Sequence, residues 1–182
     1  MYLIKKVSPK FFKSRGDQLN NKDTMINLLL LPFIIIFKIF GFIIWKIFNP
    51  SFTSTLAPGL HGDGDSFKVI KGKKEVHVRL FNFDAPEYTQ KGGKEAAKYT
   101  RKLLSNGKFK VTPKGKDVYG RTLASIKLNG NSDLRKKLIQ DGMGWDTSNS
   151  WIKKHNKAKK RKIGIWAHKH KQNPREYRMS LS

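Results

Sequence analysis

Apolar residues crowd one end of the chain and then become periodic. From Met25 to Phe48 the sequence is almost continuously apolar, broken only by Asn27, Lys38 and Lys46. At about 1.5 Å per residue, a helix of that length outreaches the ~30 Å hydrocarbon core of a bilayer. The run Leu28 to Phe40 leaves no polar face for water, so the pattern predicts a transmembrane helix rather than a buried core helix. Lys38 near mid-bilayer costs roughly 2.5–3.5 kcal/mol unless its stem reaches the interface, which leaves a tilted, re-entrant or interfacial segment open. Pro32 predicts a kink.

Further along, a two-residue period takes over. Phe67 to Ile70 and Glu75 to Phe83 are β-rich runs on either side of Lys71-Gly72-Lys73-Lys74, the pattern of a hairpin. Phe109 to Thr112 and Arg121 to Leu128 predict further strands, the second ending at the Asn129-Gly130 turn. Gly93 to Leu104 has helical spacing, with Ala96, Ala97, Leu103 and Leu104 apolar. Asn131 or Ser132 can cap a helix that carries Leu134, Leu138 and Ile139 and stops at Gly142. A last, basic helix is predicted over Trp151 to Lys162, with Gly164-Ile165-Trp166 packed behind it. Strands mixed with few helices, without βαβ alternation or internal repeat, predict a small β-barrel with flanking helices.

The predicted organisation is a basic segment over residues 1–24, a membrane span over 25–48, and a Ser/Thr/Pro/Gly-rich linker over 49–61. One domain over 62–168 and a basic tail over 169–182 complete it. About 120 residues after the apolar run are enough for a single core and leave little room for a second.

Charge narrows the class. Thirty-eight Lys and Arg against 13 Asp and Glu give a formal +25, which points to a polyanionic partner, nucleic acid or an anionic membrane. Without cysteine there is no disulfide, no thiolate zinc site and no cysteine nucleophile, so any metal is held by oxygen or histidine. Lys10, Lys13, Arg15 and Lys22 precede the apolar run, whereas Asn49 to Phe67 contains no Lys or Arg. The positive-inside rule therefore predicts a single-pass protein with a cytoplasmic N-terminus and its C-terminal domain on the far side. A mitochondrial or other organelle membrane would change the side assignment. A retained anchor is favoured over a cleaved signal, because the basic region is long and Thr55-Leu56-Ala57 is followed by Pro58.

Eleven acids lie after Pro50, and five of them (Asp63, Asp65, Asp84, Glu87 and Asp117) sit in Gly/Pro-punctuated segments beside predicted strand ends. Singly, each is as well explained by a salt bridge; together they suggest a site. A hairpin turn centred near Gly72-Lys73 sets Asp65 roughly opposite Arg79 and Leu80, bringing a carboxylate and a guanidinium to one end of the ribbon. Strict alternation puts Arg79 and Asp84 on opposite faces, so the strand must bulge or end between them.

Three motifs now combine: Asp63-Gly64-Asp65-Ser66, then Val78-Arg79-Leu80-Phe81-Asn82-Phe83-Asp84-Ala85-Pro86-Glu87, then Asp117-Val118-Tyr119-Gly120-Arg121. In order and spacing they resemble the staphylococcal nuclease family, and Gly164-Ile165-Trp166 resembles its closing segment; the likeness spans His61 to about Ala167. The resemblance implies a five-stranded OB-fold barrel with about three helices, here preceded by one transmembrane helix. It also implies calcium-dependent hydrolysis of DNA and RNA to fragments ending in 3′-phosphate. By the same resemblance Asp65, Asp84 and the carbonyl of Ala85 bind calcium, Arg79 and Arg121 grip phosphate, Glu87 acts on the attacking water, and Tyr119 lines the nucleotide pocket. Residue chemistry agrees, because calcium takes six to eight hard oxygens and arginine offers a fork that matches phosphate.

The chain departs from the family pattern in places. Only Tyr88 to Gly93 separate Glu87 from the next helix, Val118 replaces a lysine, and Gly144 to Trp151 lacks a tyrosine pair, leaving Trp145 or Trp151 as a base-stacking residue or as core. The five histidines are read as surface residues, and His168-x-His170 lies in a polar tail with no carboxylate expected nearby. The run Lys153 to Lys162 is a solvated face or a phosphate track. Two rival functions remain: a catalytically silent nucleic-acid-binding OB module tethered to a membrane, and a membrane-surface protein whose charge reads anionic lipid. The first lacks a reason for the complete set of acids and arginines, the second for their order. The chain is expected to act as a monomer.

Overall fold

The computed structural model describes residues 21–59, 62–169 and 172–181, and separates into two units, one ending at Phe48 and one running from Asn49. Lys10, Lys13, Arg15, His61 and His170 lie outside the described residues. In the first unit α1 (Asn21–Phe48) continues as one helix through Pro32. Its stretch Leu30–Phe48 has a mean hydropathy of 2.2 with none of it buried in the protein, and is long and apolar enough to cross a membrane.

The second unit is built on a closed five-stranded barrel in the order β1 (Phe52–Leu56), β2 (Ser66–Lys71), β3 (Lys74–Leu80), β6 (Thr122–Lys127) and β5 (Phe109–Lys116). The β2–β3 hairpin turns through Gly72-Lys73, with Lys71 paired to Lys74 and Ser66 to Arg79. This register follows from the pattern, because it turns Phe67, Val69, Val78 and Leu80 inward together. β3 meets β6 in parallel, and β1 closes the barrel by pairing antiparallel with both β2 and β5. Val111, Ala124 and Ile126 fill the interior, and α3 (Leu134–Gln140) adds Leu134, Leu138 and Ile139 to the same core. Burying each such aliphatic side chain contributes about 1.5–3 kcal/mol.

β1 corrects the expectation of a linker over 49–61. Its sequence FTSTL is polar, but the Ser54 hydroxyl is buried and donates to the Ile70 carbonyl at 2.6 Å, so the strand is satisfied by neighbours distant in sequence. The cap of α3 also moves: Asp133, not Asn131 or Ser132, accepts the N–H of Lys136 at 2.8 Å. Asn131 instead takes a left-handed conformation (φ 64°) within the preceding 3₁₀ turn. Gly142 ends the helix as expected, at φ 69°.

Beyond the barrel lie α2 (Gly93–Leu104), the two-residue ladder of β4 (Phe83–Asp84) with β7 (Trp145–Asp146), and α4 (Ile152–Lys160). The last helix, α5 (Pro174–Met179), corrects the expectation of a tail over 169–182. Asn173 and Glu176 form a reciprocal capping box there, with proline at the helix start.

Candidate active site

One end of the barrel opens into a groove of about 590 Å³ whose walls include Arg79, Glu87, Asp117, Tyr119, Arg121 and Arg178. Each reaches it for a local reason. Asp65 directly precedes β2, and its carbonyl accepts the Leu80 N–H at 2.7 Å, which sets it opposite the end of β3. Arg79 then lies beside it. β3 stops at Leu80, Asn82 takes the left-handed conformation (φ 57°), and the chain resumes as β4. That break allows Arg79 and Asp84 to meet despite their opposite parity.

The result is a bridge. Arg79 donates through Nη1 to Asp65 Oδ1 at 3.0 Å and through Nη2 to Asp84 Oδ1. Asp65 also accepts the Ser66 hydroxyl at 2.9 Å on Oδ1 and the Ala85 N–H at 2.9 Å on Oδ2. Burial pushes its carboxyl up to about 6, against the opposing pull of Arg79 and those two donors. For Arg79 burial works against the charged form, but Asp65 and Asp84 outweigh it and hold the guanidinium above its ordinary value.

A second arginine joins from the β5–β6 loop. Asp117 accepts the N–H groups of Tyr119 and Arg121 at 3.0 and 2.9 Å, and its other oxygen accepts Arg121 Nε at 2.6 Å. Burial raises the Asp117 carboxyl, but the donated bonds from Arg121 and Tyr119 leave it below the usual carboxylate range. Arg121 Nη1 donates to the Ser66 hydroxyl at 3.1 Å, linking this loop to Asp65. Tyr119 is 80% exposed with the Arg121 guanidinium 5.3 Å from its ring centre, leaving a ring face available to a base.

Glu87 also lines the groove. The loop behind it is so tight that a Cβ at Gly93 would lie 1.8 Å from the Glu87 carbonyl oxygen, so only glycine can start α2 there. The Glu87 carboxylate accepts Nη1 of Arg178 from α5.

All the sequence-predicted residues Asp65, Arg79, Asp84, Ala85, Glu87, Tyr119 and Arg121 thus belong to one end of the barrel. Two more join them: Ser66, which appeared only as part of a motif, and Arg178. The Asn173-Pro174-Arg175-Glu176 capping signal could have revealed the helix that carries Arg178. Trp145 and Trp151 are not in the groove. Trp145 packs edge-on against Trp166 with ring centres 5.0 Å apart, and Trp151 packs on the barrel core. Among the described histidines His77 is exposed as expected, whereas His155 is buried in α4 and His168 Nε2 lies 3.5 Å from Glu95.

Residues 77–168 match the family described as "Staphylococcal nuclease homologue". The chain belongs to that family. The match contains Arg79, Asp84, Glu87 and Arg121, while Asp65 precedes it and Arg178 follows it. Among relatives, an uncharacterized endonuclease of Haemophilus influenzae is 30% identical, with 64% of this chain and 68% of that one aligned. A micrococcal nuclease of Shigella flexneri is 28% identical, over 64% of this chain and 75% of its own length. A probable endonuclease of Komagataella phaffii is 29% identical, over 63% and 58%.

Proposed function

We propose that this chain is a calcium-dependent endonuclease that hydrolyses phosphodiester bonds of both DNA and RNA to leave 3′-phosphate ends, anchored to a membrane by α1. The observation that supports it most is the Asp65–Arg79–Asp84 bridge, set in one groove with Arg121 and Glu87. Among the described residues no three His, Asp or Glu side chains group as a metal site, so carbonyl and water oxygens would have to complete a shell. The donor chemistry fits calcium. Asp63, Asp65, Asp84, Glu87 and Asp117 against Arg79, Arg121 and Arg178 leave two negative charges in excess. Asp65, Asp84 and the Ala85 carbonyl would hold the ion, which when bound supplies a divalent Lewis acid for charge developing on phosphate oxygens.

The side chains supply the rest. Arg79 and Arg121 bind the non-bridging oxygens of the scissile phosphate and stabilise the extra charge of the five-coordinate transition state. Glu87 takes a proton from the water whose oxygen attacks phosphorus. The bond from phosphorus to the 5′ oxygen breaks, that oxygen is protonated, and the phosphate stays on the 3′ side. Tyr119 stacks on a neighbouring base. α1 keeps the domain at a membrane, with the N-terminus cytoplasmic and the domain on the far side.

The full chain in detergent, incubated with plasmid and RNA, should degrade both in calcium, stop with chelator, and leave 3′-phosphate ends. Asp84→Asn should lose calcium binding by calorimetry together with cleavage. Intact substrates in calcium would refute the activity; unchanged calcium affinity in Asp84→Asn would refute the metal assignment.

A further inference from the structure

A barrel already closed by β1 has no need of α5, yet three contacts tie this helix and its approach to one short stretch. Arg178 donates to Glu87, the Tyr177 hydroxyl meets the Thr89 hydroxyl at 3.3 Å, and the Gln172 carbonyl accepts Gln90 Nε2. All three partners lie in the segment Glu87 to Gln90. The helix itself is locally determined by its capping box and by Pro174, which is fully buried.

Arg178 differs from the other two groove arginines in how it is held. Arg79 is shared between two carboxylates, and Arg121 is fixed by Asp117 and Ser66; their side chains are 19% and 22% exposed. The Arg178 side chain is 50% exposed and donates to Glu87 through Nη1, on the last turn of a helix at the groove edge. An ion pair so open to water is held weakly. A phosphodiester, like a carboxylate, can accept the guanidinium fork through two oxygens, whereas the bond to Glu87 runs through Nη1.

We propose that Arg178 is a substrate-binding residue, a third phosphate-gripping arginine that lies outside the family match, and that the Glu87–Arg178 pair is the resting form which a nucleic-acid phosphate breaks. The proposal rests on the nuclease reading for the role of Glu87. An anionic phosphate oxygen entering the groove takes over the guanidinium, and the Glu87 carboxylate is freed for water in the same event. No bond is made or broken covalently; one charged hydrogen bond is exchanged for another. The binding of substrate and the readiness of the base are thereby coupled through one side chain.

The test separates binding from cutting. The full chain in detergent is titrated with a fluorescently labelled single-stranded oligonucleotide, with chelator present, over a range of salt. If Arg178 holds a phosphate, Arg178→Gln should weaken binding about tenfold and reduce the slope of log Kd against log salt by about 0.7. Arg178→Lys should restore the slope and only part of the affinity, because it keeps the charge without the fork. Glu87→Gln should bind as tightly as the parent or tighter, since it frees the arginine beforehand. A partly unfolded variant lowers the bound fraction at saturation and leaves the slope alone, so folding damage does not mimic the effect. An unchanged slope in Arg178→Gln overturns the proposal even if the parent cleaves in calcium. A parent that binds with the predicted slope change but never cleaves overturns the nuclease reading instead.

Discussion

Ser66 joins the two halves of the groove network through its hydroxyl. That hydroxyl donates to Asp65 and accepts from Arg121, so Arg121 is positioned by the same oxygen that supports the Asp65 carboxylate. Arg121 itself uses Nε toward Asp117 and Nη1 toward Ser66, a fork that an ammonium cannot reproduce. Arg121→Lys should therefore lose most of the kcat of the parent while the protein stays folded, and activity within threefold of the parent would remove the arginine from the mechanism. Glu87→Gln should cost about 10² to 10⁴ in single-turnover rate, or roughly 2.7–5.4 kcal/mol of barrier, with little weakening of substrate binding. Retention of the parent rate at saturating calcium would mean that another group activates the water.

Helix α4 carries a pH-sensitive element of stability. Its buried face presents His155 and Ala158 to Trp166, and the His155 ring lies 5.3 Å from the indole with no hydrogen-bond partner on either nitrogen. Burial pushes this imidazole below its ordinary value, Lys159 adds to the effect, and Asp146 opposes it. Between the lowered folded value and about 6.5 the unfolded chain binds more protons, so stability is present near pH 7 and is lost as pH falls through that window. Asp65 works in the opposite direction: with its carboxyl raised from 3.8 to about 6, its contribution is full below 3.8 and lost as pH rises through about 6. That opposing contribution is common to parent and variant and cancels between them. Urea unfolding at pH 7 and pH 5 should show a smaller acid loss in His155→Phe than in the parent. Equal losses in the two proteins would mean that the imidazole stays neutral across the range.

For the chain as a whole, the formal +25 suits a polyanionic partner, and the stretch Leu30–Phe48 is long and apolar enough to cross a membrane. The basic residues before the apolar run, against none from Asn49 to Phe67, predict which side the domain occupies. A reporter fused after Ser182 should be active only outside the cytoplasm, and protease added to intact cells should remove it. A reporter protected from protease and active in the cytoplasm would reverse the topology.

Local patterns were sufficient where local physics is strong. The two-residue alternation of β2 and β3, the helical spacing of α2, and the glycine stop after α3 all follow from side chains within a dozen residues of one another. The order of the acids and arginines also revealed the family and most of the groove. Four features needed the folded chain. β1 is polar and becomes a strand because β2 and β5 flank it on both sides. Arg79 meets Asp84 because Asn82 turns left-handed, a conformation that strand periodicity does not express. Ser66 reaches Arg121 across 55 positions, and Arg178 reaches Glu87 across 91. Contacts at such separations are selected by barrel closure and burial rather than by any neighbouring pattern, so they exist only once the tertiary structure brings the segments together.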